Sequence, residues 1–144
     1  MKEPCIIEGG IAVDDRGSLR FANEFNFSDV KRFYQVKNHR EGFIRAWHGH
    51  ENEGKYVWVA SGSALVGVVP IGTPDGELSK VRKFVLSEQN PQILFIPKGH
   101  YNGFMNLEEG TRIQFFSTCT LEESVGDDIR KAYDCWDIWN IEYR

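Results

Sequence analysis

Apolar and polar residues alternate in short runs along this chain, and turn-forming residues separate the runs. In Lys55-Tyr-Val-Trp-Val-Ala60, Lys55, Val57 and Val59 fall on one face and Tyr56, Trp58 and Ala60 on the other. A period of two belongs to a β-strand. Apolar residues on both faces mark one that lines a barrel on one side and packs under a second layer on the other. Strand-like runs are expected over 18–22, 31–36, 43–48, 64–69, 81–86, 92–96 and 111–118. Breaks fall at Asp14-Asp-Arg-Gly17, at Ser61-Gly62 and at Gly72-Thr-Pro-Asp-Gly76. Only residues 121–133 carry a helical pattern. Many short strands at this spacing predict an all-β sandwich or barrel.

The strand run 43–48 continues into a pair of imidazoles. His48 and His50 lie two residues apart, so they project from the same face into one space. Such a pair serves either a metal site or a proton-transfer site.

Composition narrows the surroundings. A chain of 144 residues with 14 glycines and 13% aromatic residues fits one turn-rich β domain, expected to span 1–144. The formal net charge of −4 argues against a nucleic-acid-binding face, although local Arg and Lys could still hold an anionic substrate. No stretch reaches the roughly 18 apolar residues of a membrane span, and the first residues lack the apolar core of a signal peptide. Cys5, Cys119 and Cys135 are odd in number and lack metal-type spacing, so reduced thiols in a cytoplasmic protein are expected.

The motif residues resemble those of an RmlC-like cupin. Gly42, His48, His50, Lys55 and Gly62 match the spacing of the first cupin motif, with lysine where the motif has glutamate. Pro97, Gly99, Asn102 and Asn106 match the second, with Pro91 in place of its opening glycine and asparagine in place of its histidine. The resemblance implies a double-stranded β-helix, or jelly-roll barrel, with a short C-terminal helical segment. It also implies a change of chemistry, because an ammonium cannot ligate a cation and an amide oxygen is a poor ligand for a transition metal.

Within the cupins the chain resembles two groups that act on nucleotide-linked 4-keto-6-deoxyhexoses. The dTDP-4-dehydrorhamnose 3,5-epimerases are matched by Asp14-Asp-Arg16-Gly17, Arg45-Ala-Trp-His48, Lys55, Leu86-Ser-Glu-Gln-Asn90 and Pro97-Lys-Gly-His-Tyr-Asn102-Gly-Phe104. The dTDP-sugar 3,4-ketoisomerases are matched by Arg16-Gly-Ser-Leu19, Lys31-Arg-Phe-Tyr34, Arg45 to His50 and Asp128-Ile-Arg-Lys-Ala-Tyr133-Asp134. Both chemistries remove a proton beside a ketone and need a base, an oxyanion partner and an acid, without a redox cofactor.

The resemblance implies His48 as the base, Asp134 as the carboxylate that orients it and Lys55 as the oxyanion partner. Arg16 and Arg45 are implied on the diphosphate, with Gln35, His50, His100 and Asn102 as further substrate contacts. Arg45 has the opposite strand parity to His48, so both reach one cavity only across a bulge. The epimerases carry their acid as a tyrosine after the second motif, where this chain has Phe115-Phe-Ser-Thr-Cys-Thr-Leu121. Tyr34 is the first candidate in its place, with Tyr101 and Tyr133 as others.

The expected activity is a 3- or 3,5-epimerase of a dTDP-linked 4-keto-6-deoxyhexose in deoxysugar and polysaccharide biosynthesis, or else a 3,4-ketoisomerase. Two other readings remain: a metal cupin with His48, His50 and His100 as ligands, and a sugar-binding cupin without activity. Family resemblance further implies a homodimer.

Overall fold

The computed structural model describes residues 2–144 as two antiparallel sheets wrapped around one interior, with a small hairpin beside them. The strands are β1 (Cys5–Glu8), β2 (Gly10–Asp14), β3 (Gly17–Phe21), β4 (Arg32–Val36), β5 (Ile44–His50) and β6 (Lys55–Ser61). They continue with β7 (Ser63–Pro70), β8 (Arg82–Ser87), β9 (Gln92–Ile96), β10 (His100–Asn106), β11 (Arg112–Ser117) and β12 (Ile129–Arg130). The first sheet runs β1-β9-β6-β11-β4, the second runs β12-β5-β10-β7-β8, and β2 pairs with β3 alone. The expected all-β jelly-roll barrel is the observed architecture.

Strand parity accounts for two distinct cores. Val57 and Val59 of β6 point inward, with Val66 and Val68 of β7, Leu94 and Ile96 of β9, Phe104 of β10 and Phe115 of β11. These fill the barrel. The opposite parity of the second sheet places Trp47, Leu65, Val69, Tyr101 and Met105 outside it, where Trp136 and Trp139 of the C-terminal segment cover them. This second layer explains why β7 is buried on both faces. Gly67 permits the contact: a Cβ there would stand 2.6 Å from both Ile138 Cδ1 and the Trp47 ring.

The expected helix over 121–133 is a single turn, α1 (Leu121–Ser124), followed by β12. Thr120 starts the turn with a capping box, its hydroxyl accepting from Glu123 N while the Glu123 carboxylate accepts from Thr120 N. Gly126 then adopts a φ of 89° and turns the chain back across β5. Pairing with a strand 80 residues earlier overrides the local helical pattern, with Ile129 opposite Gly49 and Arg130 opposite His48. No helix among the described residues is long and apolar enough to cross a membrane.

Candidate active site

One end of the barrel interior is polar. A cavity of about 220 Å³ opens there, lined by Arg32, His48, His50, Glu53, Lys55, Ser124, Asp128 and Arg130. Parity delivers the strand residues: His48 and His50 face inward from β5, Lys55 from the start of β6 and Arg32 from β4. Lys55 is buried, and among the described residues Nζ has no hydrogen-bond or ion-pair partner. Its nearest aromatic neighbours are the Tyr34 and Phe115 rings, each 5.9 Å from Nζ to the centroid.

The two imidazoles are held differently. His48 Nδ1 lies 4.0 Å from Asp128 Oδ1. His50 Nδ1 lies 2.6 Å from the Asp127 carbonyl and 3.8 Å from Glu53 Oε1. The Glu53 carboxylate is buried, accepting from Ser117 Oγ at 2.7 Å and Ser124 Oγ at 2.8 Å, with Arg32 Nη2 at 3.4 Å. Arg32 Nε and His50 Nε2 are the buried side-chain polar atoms left without a partner among the described residues. Both belong to residues that line the cavity, which is where a ligand would pair them.

Burial lowers the basicity of both imidazoles and of Lys55. His48 is pushed down to about 4, first by burial and then by Arg130 and Lys55, with Asp128 opposing. His50 is lowered by burial and by Lys55, against the Asp127 hydrogen bond and Glu53. Lys55 is lowered by burial and Arg32, while Glu53 and Asp128 favour its charge. The Tyr34 phenol moves up, by burial and by Glu53. Asp128 is lowered chiefly by its hydrogen bond to Arg130. The cavity thus presents neutral imidazoles at neutral pH beside a lysine whose charge Glu53 and Asp128 support, an arrangement suited to proton removal next to a stabilised oxyanion.

Of the expected residues, His48, His50 and Lys55 line this cavity; Asn102, His100 and Tyr34 face the barrel interior outside that lining, and the others lie elsewhere. Asn102 is buried on β10 opposite His48, donating from Nδ2 to the His48 carbonyl at 3.3 Å. His100 is buried opposite His50, with Nδ1 3.1 Å from the Pro97 carbonyl. Tyr34 faces inward and stacks on Phe115 with ring centroids 5.0 Å apart. Gln35, one residue on, points outward and hydrogen-bonds Gln114 on the barrel exterior, so it does not reach the cavity. Arg16 stands at the exposed β2–β3 turn, paired with Asp14.

Arg45 gains the parity of His48 through a register shift in β5 opposite Gly103, but its Nε donates to Asn38 Oδ1 at 2.7 Å, outside the cavity lining. Asp134 is exposed. The carboxylate facing His48 is Asp128, because the β12 pairing brings residues 128–130 to the cavity and carries the chain past it before 134. Among the described residues, no three His, Cys, Asp or Glu side chains gather as a metal cage.

Glu53, Ser124, Asp128 and Arg130 were not assigned roles from sequence. Arg32 was legible in principle, since it shares parity with Tyr34. Ser124 and Asp128 arrive through contacts with residues more than 70 positions away, for which no local signal exists.

A jelly-roll barrel with paired imidazoles and a lysine in the cupin ligand positions defines the class: a sugar-nucleotide isomerase of the cupin type. The chain belongs to the dTDP-4-dehydrorhamnose 3,5-epimerase family, which it matches over residues 1–132. It is 29% identical over 137 residues to the spore coat polysaccharide biosynthesis protein SpsL of Bacillus subtilis, covering 91% of each chain. Its fold is similar to that of the dTDP-4-dehydrorhamnose 3,5-epimerase of Bacillus anthracis solved with TDP and PPi, with a TM-score of 0.79 at 19% identity over 98% of this chain and 87% of that one. It is also similar to the WlaRB TDP-quinovose 3,4-ketoisomerase of Campylobacter jejuni, with a TM-score of 0.68 at 24% identity over 93% and 96%.

Proposed function

We propose that this protein epimerises a dTDP-linked 4-keto-6-deoxyhexose at C3, or at C3 and C5. The observation that carries the reading is Lys55: a buried lysine in the cavity with His48, its Nζ without a hydrogen-bond or ion-pair partner among the described residues. His48 removes the proton next to the ketone, the electron pair moves onto the C4 oxygen, and Lys55 donates to that developing oxyanion. A preorganised donor of this kind contributes on the order of 10²–10³ in rate. Tyr34 lies on the first sheet and His48 on the second, so the phenol supplies a proton from the side opposite the base, as inversion requires. The cavity of about 220 Å³ is smaller than the roughly 300–1,000 Å³ of a drug-sized pocket, so it takes the hexose while the nucleotide lies outside it.

One observation favours 3,4-ketoisomerisation as a second reading. His50 shares the face of His48, and its unpartnered Nε2 is fit to take the proton of a sugar hydroxyl. With the C3 proton taken by His48, that transfer, one proton delivered to C4 and one to the C4 oxygen together move the ketone to C3. Proton NMR of the reaction in D₂O separates the two. Deuterium at C3 or C5 with the ketone retained at C4 supports epimerisation, and a ketone at C3 supports the second reading. No exchange with any dTDP-4-keto-6-deoxyhexose would sink both.

A homodimer is part of the same proposal. Phe27 and Phe33 are 60% and 70% exposed beside the first sheet, a patch fit for burial against a second copy. Sedimentation of wild type against Phe33→Asp tests it, and a monomeric wild type would refute it.

A further inference from the structure

Asp127 has no part in the chemistry above, yet it is buried and holds one loop from both of its ends. Its carboxylate accepts three successive main-chain N–H groups of the β5–β6 turn. Glu51 N lies 2.8 Å from Oδ1, and Asn52 N and Glu53 N each lie 3.0 Å from Oδ2. Its own carbonyl lies 2.6 Å from His50 Nδ1. A carbonyl oxygen only accepts, so this bond exists only with the proton on Nδ1. In the neutral ring, which burial favours, Nε2 is then a bare lone pair, and among the described residues it is a buried side-chain atom without a partner.

Glu53 does not compete for that proton. Its Oε1 is 3.8 Å from His50 Nδ1, beyond hydrogen-bond reach, and its two oxygens are occupied by Ser124 and Ser117. The turn that Asp127 grips also leads directly into Lys55. A single residue therefore governs which nitrogen of His50 is protonated and where the next two cavity groups stand.

We infer that Asp127 is a positioning residue of this site: it fixes His50 as the Nδ1–H tautomer, so that Nε2 accepts a hydrogen bond from a hexose hydroxyl, and it anchors the turn that carries Glu53 and Lys55. The hydroxyl contact rests on the proposed activity; the tautomer does not. An imidazole in the other tautomer would set two acceptors, Nδ1 and the Asp127 carbonyl, against each other at 2.6 Å.

Two measurements test this. Proton–nitrogen correlation spectra of ¹⁵N-labelled wild-type protein, with His50 assigned through His50→Gln, report the tautomer without any substrate. The expected result is a protonated Nδ1 and a bare Nε2, and a protonated Nε2 overturns the inference. In Asp127→Asn the amide NH₂ faces main-chain donors, so the turn loosens. The expected outcome is a mixed His50 tautomer and a kcat lower by about 10²-fold with KM within threefold. A folded Asp127→Asn protein with the wild-type tautomer and wild-type kcat overturns it too. Should Asp127→Asn fail to fold, the wild-type spectrum decides. Should no sugar nucleotide react, the activity reading falls, and the tautomer still decides the role of Asp127.

Discussion

Asp128 Oδ1 stands 4.0 Å from His48 Nδ1, and the two residues meet because Arg130 pairs with His48 across the short β12 clip. The carboxylate comes from a segment 80 residues away in the chain, so its charge reaches the base only with the C-terminal strap in place. It also biases the base toward its charged form, against the burial that lowers it.

Neutral His48 is the active form, and its proton is held only below about pH 4. The acid limb of kcat/KM is therefore expected well below the ordinary histidine range. Asp128 favours the charged imidazole and Arg130 disfavours it, so Asp128→Asn moves the limb to lower pH and Arg130→Gln moves it higher. His48→Asn is expected to lose about 10²–10⁴-fold in kcat. The same shift affects stability: the unfolded chain binds this proton near pH 6.5 and the folded one only near 4, so this group's contribution falls as pH drops through that window. Thermal unfolding at pH 7, 5.5 and 4.5 measures it. A histidine-like limb near 6.5 would contradict the burial argument.

Lys55→Met is expected to lower kcat by about 10²–10³-fold while leaving the fold intact. Burial lowers the lysine's proton affinity, so the alkaline limb should lie below that of an ordinary lysine. Glu53 is the leading charge that sustains the ammonium, and Glu53→Gln should move that limb lower still. Rate profiles from pH 6 to 10 on the three proteins check this. A Lys55→Met enzyme with wild-type kcat would remove the oxyanion role.

Trp136→Ala is expected to destabilise the protein by about 3–5 kcal/mol. The indole is fully buried, meets Trp47 edge-on at 5.6 Å, and donates from Nε1 to the Pro74 carbonyl at 3.0 Å. Urea unfolding monitored by far-ultraviolet circular dichroism measures the loss. A change under 1 kcal/mol would mean that the C-terminal layer does not stabilise the second sheet.

Gly67→Ala adds a methyl where Ile138 Cδ1 and the Trp47 ring stand 2.6 Å away. Overpacking of this kind typically costs about 1–3 kcal/mol. The same urea titration checks it. An unchanged midpoint would show that the C-terminal segment yields freely.

Much of the barrel was legible because burial on alternate sides leaves a period of two. The face containing Lys55, Val57 and Val59 could be read from the run itself. The central strand β10 was less visible, because His100-Tyr-Asn-Gly-Phe-Met-Asn106 mixes polar residues and glycine, although all seven residues are buried. Its polar side chains are tolerated inside because partners distant in sequence satisfy them, as Asn106 shows by donating to the Arg40 carbonyl at 2.9 Å. Gln35 shows a different failure: parity alone places it outside, opposite Arg32 and Tyr34.

The sequence by itself determined the strand periodicity and the shared face of His48 and His50, and its resemblance to the cupin motif marked Lys55 as standing in the place of a ligating carboxylate. The first two are properties of neighbours along one strand, fixed by backbone geometry. Only the tertiary structure decided that Asp128 rather than Asp134 faces the base, that Glu53 lies buried behind His50, and that Asp127 holds the turn between them. Those relationships depend on where a C-terminal strap crosses β5. That crossing is set by hydrogen bonds and packing between segments far apart in the chain, which leave no periodic trace in either one.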